Sequence, residues 1–275
     1  MSLSILAIDI DGTLIDSRKE ISPFTRSEIH RVVREYRAHV ILITARSPQS
    51  TTIIEEQLGV SASLATFGGS LVWSREADGG LVPVSEVPLG AEDVASILHV
   101  AASHDVHTGL YSRDDWYVSS LDYWGMREAR NTAVWPTVVD ISETARGEGP
   151  FFKIMFRGEQ EPLAALAAAL KESPTTTYAH HLKHVLEIVS RDAVKLPALQ
   201  ALAAHRGFSL DQVIAFGDSE SDLGMLENAG VGVLMGNASR TLTVSDRVER
   251  TLSNDEDGIG MALRRHFPTA EPFRP

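Results

Sequence analysis

The sequence predicts an α/β protein with a doubly wound, mostly parallel core sheet and an inserted α+β module. Three observations lead there. Short runs rich in Ile, Val, Leu and Ala stop at polar or glycine residues, the pattern of strands buried on both faces. Stretches with helix-capping signals alternate with them, as βαβ units require. The stretch over residues 82–184 loses that alternation and so reads as a module carried within the first.

In chain order, strands are expected over residues 3–10, 40–43, 64–67, 213–216 and 231–234, each short and apolar. Ser22-Pro23 and Ser47-Pro48 pair an N-cap hydroxyl with a first-turn proline, which starts helices. Gly59, Gly207 and Gly230 stand where helices should stop. A further helix is expected over 192–205, with Pro197 tolerable because it belongs to the first turn. Pro83 and Pro88 mark the start of the insert, and the α/β rhythm returns after Glu187. The expected division is therefore 1–82 and 187–275 for the core and 83–186 for the insert.

The 275 residues are 43% hydrophobic, enough for a well-buried core. With 23% charged residues and no apolar run near the roughly 20 that span a bilayer, no membrane partner is expected. Met1 to Ile8 turns apolar at once without a basic leader, so it reads as a first strand rather than a signal peptide, and a cytoplasmic location is the default. The absence of cysteine removes disulfides and thiolate chemistry. A formal net charge of −12 opposes attraction to nucleic acid or anionic lipid. Any phosphate in a small-molecule partner must therefore meet local positive groups or a cation. Nothing in the sequence sets the oligomeric state.

Four segments carry chemistry. Asp9-Ile10-Asp11-Gly12-Thr13-Leu14 follows the first apolar run. At a period of two, both carboxylates would project to one side of the strand's C-terminal end, where open α/β sheets bind ligands. Asp-Gly is also ordinary turn chemistry, so this segment alone leaves both readings open. Thr44-Ala45-Arg46-Ser47 ends a second strand and places a hydroxyl and free N–H groups at a helix N-terminus, where an anion fits, although Thr44 or Ser47 could simply cap the helix. Lys195 lies near the start of the helix expected over 192–205 and is notable only for its place between the other segments. Gly217-Asp218-Ser219-Glu220-Ser221-Asp222 follows another apolar strand. Asp218 and Asp222, four residues apart, could converge with the first segment on one hard cation.

Together these segments resemble the haloacid dehalogenase superfamily, in its Cof-like sugar phosphatase branch with a large α+β cap on a Rossmann-like core. The resemblance also takes in 230–238, Gly-Val-Gly-Val-Leu-Met-Gly-Asn-Ala, and 253–258, Ser-Asn-Asp-Glu-Asp-Gly. It implies a phosphatase for small phosphorylated metabolites such as sugar or polyol phosphates. In that mechanism Asp9 is the nucleophile that becomes an aspartyl-phosphate, and Asp11 is the general acid and then base. Mg²⁺ would be held by Asp9, Asp218 and the carbonyl of Asp11, with Asp222 binding or orienting that shell. Thr44, the N–H of Ala45, Lys195 and Ser221 would hold the phosphate.

The sequence departs from the family pattern in three places: Ser221 replaces an Asn that contacts phosphate, Leu196 a Gly, and Gly68-Gly69-Ser70 an Asn-Gly-Ala turn. The resemblance leaves a phosphomutase of the same superfamily and a non-catalytic phosphosugar-binding protein as alternatives. In the cap, Arg113, Trp116, Tyr117, Tyr123, His180, His181 and Lys183 are candidates to touch the leaving group. A metal site at His180, His181 and His184 lacks further ligands and is set aside for a polar surface.

Overall fold

The computed structural model describes residues 3–170, 175–180 and 183–268. Its strands are β1 (Ile5–Ile8), β2 (His39–Ile43), β3 (Ala62–Thr66), β4 (Leu71–Arg75), β5 (Leu81–Glu86), β6 (His107–Tyr111), β7 (Trp116–Val118), β8 (Thr137–Val138), β9 (Lys153–Arg157), β10 (Thr176–His180), β11 (Val185–Ser190), β12 (Val213–Gly217), β13 (Val231–Leu234) and β14 (Val248–Arg250). The helices are α1 (Pro23–Tyr36), α2 (Pro48–Leu58), α3 (Ala91–Ala101), α4 (Tyr123–Thr132), α5 (Ile141–Gly147), α6 (Gln160–Ala169), α7 (Lys195–His205), α8 (Leu223–Asn228) and α9 (Gly258–His266).

An eight-stranded sheet runs in the order β14-β13-β12-β1-β2-β3-β4-β5. Its first six strands are parallel, and β4 and β5 extend it antiparallel. Successive parallel strands build outward from β1 in one direction and from β12 in the other, so the topological switch lies between β1 and β12. Period-two alternation covers both faces. Leu6 and Ile8 pack with α1, α2 and α9 through Ile29, Val32, Ile54, Leu58, Ile259 and Leu263, while Ile5 and Ala7 pack with α7 and α8 through Leu199, Leu202, Met225 and Leu226. Burying each such side chain contributes roughly 1.5–3 kcal/mol.

Local chemistry sets the helix starts as expected. Ser22 Oγ accepts from Thr25 N ahead of Pro23, and Ser47 Oγ accepts from Ser50 N ahead of Pro48. Gly59 closes α2 in the left-handed region (φ 75°), and Gly207 (φ 75°) follows α7. Gly230 does something else: α8 ends in extended backbone at Ala229, and a Cβ at 230 would collide with the Asp211 backbone, so a close approach requires the glycine.

A second sheet, β10-β11-β9-β6-β7-β8, forms the insert. One face carries α3, α5 and α6 through Val94, Ile97, Ile141, Leu163 and Leu166. The other turns toward the core, where Tyr111, Trp116, Phe152 and Met155 pack on Phe67 and Leu71. The phenyl rings of Phe67 and Phe152 lie parallel, with centroids 6.2 Å apart. Two residues expected at the limits of the insert lie inside strands. Pro83 lies inside β5, opposite Trp73 of β4, and Glu187 lies inside β11, between β9 and β10. We propose limits after Glu86 and after Ser190, where the chain passes from one sheet to the other. Proline is tolerated in β5 because that strand is the edge of the sheet, where a missing N–H breaks no ladder.

Candidate active site

β1 is shorter at both ends than expected: it stops at Ile8, although Asp9 N still donates to Phe216 O at 3.1 Å. The chain then turns, with Leu14 N and Ile15 N both donating to Ile10 O. That turn undoes the period-two argument for the two carboxylates. Asp9 is buried and points into the switch region, whereas Asp11 is exposed.

At the switch, the carboxylates of Asp9, Asp218 and Asp222 each offer an oxygen within 4.8 Å of the others. Lys195, the first residue of α7, reaches into this cluster. Its Nζ donates to Asp9 Oδ1 at 2.7 Å and to Asp222 Oδ1 at 2.6 Å, and the lysine is 5% exposed. Asp9 Oδ2 carries no hydrogen bond among the described residues. Asp222 is wholly buried and its Oδ2 accepts from Asp218 N (3.1 Å), Ser219 N (3.0 Å) and Ser219 Oγ (2.8 Å). It therefore clamps both the loop after β12 and Lys195.

The electrostatics follow from three acids meeting one ammonium. Burial pushes Asp9 up to about 8, against the pull of Lys195 and with the push of Asp222 and Asp218. Burial and the charge of Asp222 push Asp218 up to about 6. Burial opposes the charge on Lys195, but the two carboxylates outweigh it and raise its pKa. Asp11 goes the other way. Partial burial raises it, yet Arg46 and Lys19 more than compensate and bring it down to about 2. Arg46 grips it through Nε at 2.7 Å and a terminal nitrogen at 2.8 Å, and Lys19 Nζ lies 2.9 Å away.

Hard-cation chemistry suits this cluster. Its donors are carboxylate oxygens, which Mg²⁺ prefers, and one lysine leaves the three acids undercompensated. Gly12 (φ 80°) lets the loop close on Asp218: a Cβ there would overlap Oδ2 and stand 2.8 Å from Cγ. Asn237 holds the same corner, its Nδ2 donating to Gly12 O at 2.8 Å and to Asp218 Oδ2 at 3.3 Å.

Thr44 is buried at the end of β2, and its Oγ1 accepts from Arg46 N at 3.2 Å. Ser221 is exposed and bonds the Ser219 hydroxyl at 2.9 Å. The structure thus gathers Asp9, Lys195, Asp218 and Asp222 into one cluster, with Thr44 and Ala45 on the neighbouring strand end, and leaves the Asp11 carboxylate outside that cluster on Arg46. Arg46, Lys19 and Asn237 join the site although no motif spacing singles them out; Arg46 and Asn237 lie within the segments at 44–47 and 230–238.

The cap candidates scatter. Trp116 is buried, stacked on Tyr111 at 5.6 Å; Tyr117 packs edge-on against Phe151; Tyr123 is exposed; Arg113 bonds Glu86 at 2.5 Å. His184 stacks on Trp124, and its Nδ1 lies 3.0 Å from Gly158 O. His181 and the side chain of His180 lie outside the described residues.

The chain is thus a capped α/β core with an acidic cluster and a buried lysine at its strand switch. The chain belongs to the haloacid dehalogenase-like hydrolase family, which it matches over residues 6–263. It is 31% identical over 263 residues to a Haemophilus influenzae protein with a provisional phosphatase name, covering 94% of this chain and 97% of that one. It is 28% identical over 269 residues to the 5-amino-6-(5-phospho-D-ribitylamino)uracil phosphatase of Bacillus subtilis, covering 96% and 97%. Among solved structures, a haloacid dehalogenase-like hydrolase from Bacteroides thetaiotaomicron superposes with a TM-score of 0.86 at 25% identity over 97% of this chain and all of that one. The family and fold expected from the sequence are borne out. No helix among the described residues is long and apolar enough to cross a membrane.

Proposed function

We propose that this protein is a Mg²⁺-dependent phosphatase that hydrolyses small phosphorylated metabolites, sugar or polyol phosphates among them, through an aspartyl-phosphate on Asp9. One observation carries the reading: Asp9, buried at the switch point, has one oxygen fixed by Lys195 and the other without a donor among the described residues. A carboxylate held that way is aimed as a nucleophile.

In the first half-reaction an oxygen of Asp9 bonds to phosphorus as the ester P–O bond breaks, and the leaving oxygen takes a proton from Asp11. In the second, water attacks phosphorus, gives its proton to Asp11, and the P–O bond to Asp9 breaks. The base half suits Asp11 as it stands, ionised. The acid half requires its carboxyl to exchange Arg46 and Lys19 for the leaving oxygen, since with both in place it holds a proton only near pH 2. Lys195, the Thr44 hydroxyl and the Ala45 N–H supply the positive groups around the transferring oxygens that the acidic chain otherwise lacks. Ser221, exposed at the rim, would contribute a hydroxyl to the same phosphate.

Asp9, Asp218 and the Asp11 carbonyl would hold Mg²⁺. Asp222, with both oxygens already accepting hydrogen bonds, orients Asp218 and Lys195. When bound, the cation supplies charge neutralisation for the phosphoryl oxygens. A polyhydroxylated leaving group is supported by the B. subtilis relative, whose named substrate carries a phosphoribityl chain. A cytoplasmic site of action belongs to the same proposal.

Purified protein is expected to release inorganic phosphate from an aryl phosphate with Mg²⁺ and to stop with EDTA or with Asp9→Asn. Accumulating free phosphate separates hydrolysis from transfer back to substrate. Full turnover by Asp9→Asn would remove the nucleophile from the scheme.

A further inference from the structure

Three consecutive carbonyls after β2 are held by donors, and they do not all come from the same part of the molecule. Thr44 O accepts from Gly68 N at 2.8 Å and Arg46 O from Phe67 N at 2.9 Å, both in the turn after β3. Ala45 O, between them, accepts from Lys153 Nζ at 3.1 Å. Lys153 is the first residue of β9, in the sheet of the insert. Two of these three carbonyls are thus held from within the core, and the third is held from the insert.

Lys153 is built for that contact. It is 4% exposed, its second bond goes to Glu187 Oε1 at 2.9 Å, and its ammonium lies 4.9 Å from the Tyr111 ring centroid and 5.5 Å from that of Phe67. Cation–π contact and a carboxylate together offset the cost of burying the charge. Phe67 belongs to the core and Tyr111 to the insert, so the box around the ammonium closes only when the two halves meet. The peptide whose carbonyl Lys153 holds is the one whose N–H, at Arg46, donates to Thr44 Oγ1. Fixing that peptide fixes the direction of the Thr44 hydroxyl.

We propose that Lys153 is a positioning residue that transmits docking of the cap to the phosphate-binding loop, so that the Thr44 hydroxyl reaches binding geometry only with the cap in place. This rests on the phosphatase reading above and adds the coupling to it. The test compares Lys153→Met, Glu187→Gln and the double variant Lys153→Met/Glu187→Gln. The methionine keeps the apolar stem between the two rings. The double variant removes both charges of the pair, so that the loss of the lysine is not confounded with a carboxylate charge left beside the loop.

With an aryl phosphate as substrate and inorganic phosphate as inhibitor, Lys153→Met and the double variant are expected to raise KM and the phosphate Ki together, by about tenfold. Glu187→Gln, which keeps the bond to Ala45, is expected to leave both near wild type. Deuterium exchange should speed up in the peptide covering residues 44–46 in the two lysine variants, and this readout needs no turnover. If the double variant recovers wild-type Ki and loop protection, the lysine acts only by neutralising Glu187 and the coupling is wrong. A wild-type protein that neither binds nor releases phosphate would instead overturn the phosphatase reading, while the exchange data still decide whether Lys153 holds the loop.

Discussion

Gly12→Ala puts one methyl group where the structure has no room, and its consequence can be worked through. An added Cβ would stand 2.8 Å from Asp218 Cγ and overlap Oδ2, whereas carbon atoms rest at roughly 3.5 Å or more. One group must therefore move by about 0.7 Å. The backbone at φ 80° adds about 1–2 kcal/mol for a side chain in the left-handed region. Asp222 and Asn237 tie Asp218 and its loop from the other side, so the displacement falls on the carboxylate and the Gly12 carbonyl rather than relaxing away. The backbone cost of about 1–2 kcal/mol and a packing cost of about 1–3 kcal/mol together set the expected stability loss. A displacement approaching 1 Å at a reacting centre costs on the order of a hundredfold in rate, or about 2.7 kcal/mol in the barrier. The expected result is a folded protein whose phosphate release falls about a hundredfold, with a higher Mg²⁺ concentration for half-activation. The assay is a Mg²⁺ titration of aryl phosphate hydrolysis beside a urea melt. A folded Gly12→Ala protein with wild-type rate and Mg²⁺ dependence would refute the assignment of Asp218 to the cation.

Two further outcomes are expected. Asp222→Asn keeps the shape but sets an amide donor against either Lys195 or the two backbone N–H groups now bonded to Oδ2; breaking a buried pair costs about 3–5 kcal/mol, and relief of repulsion among the acids places the expected loss in urea unfolding at the lower end. Unchanged stability would mean the carboxylate is not the clamp described. In the metal-free protein Asp9 and Asp218 sit at about 8 and about 6, above their ordinary 3.8, so the stability they contribute is complete below about pH 4 and lost as pH rises through those values. A cation must displace the same protons, and the rise in Tm on adding Mg²⁺ should accordingly be larger at pH 8.5 than at pH 6; equal rises would contradict the shifts.

Much of this was legible in residue order because the chemistry sits at punctuation points. Asp9 and Asp218 close apolar strands, Lys195 opens a helix, and Ser22 and Ser47 cap as written. What failed to show has physical reasons. Pro83 marks the expected start of the insert yet lies inside β5, because an edge strand has a side with no ladder. Strand periodicity gives Asp9 and Asp11 one direction, but the strand ends at Ile8 and the chain turns through both residues. Arg46 and Lys153 have reach that depends on how the strand ends and the two sheets meet, and no spacing along the chain encodes that.

The position of β1 has a consequence for how the protein is made. This strand lies at the centre of the core sheet, but its partner β12 comes from beyond the insert, and Thr13 and Asp218, which meet at 3.5 Å, are 205 positions apart. A ribosome must therefore translate the whole cap before β1 gains its second neighbour. Until then its apolar edge is open to other nascent chains, and the closure is of the long-range kind that forms slowly. A polypeptide released before residue 213 would hold Asp9 and Lys195 but neither of the acids they work with, so catalytic competence arrives only in the last stretch of synthesis.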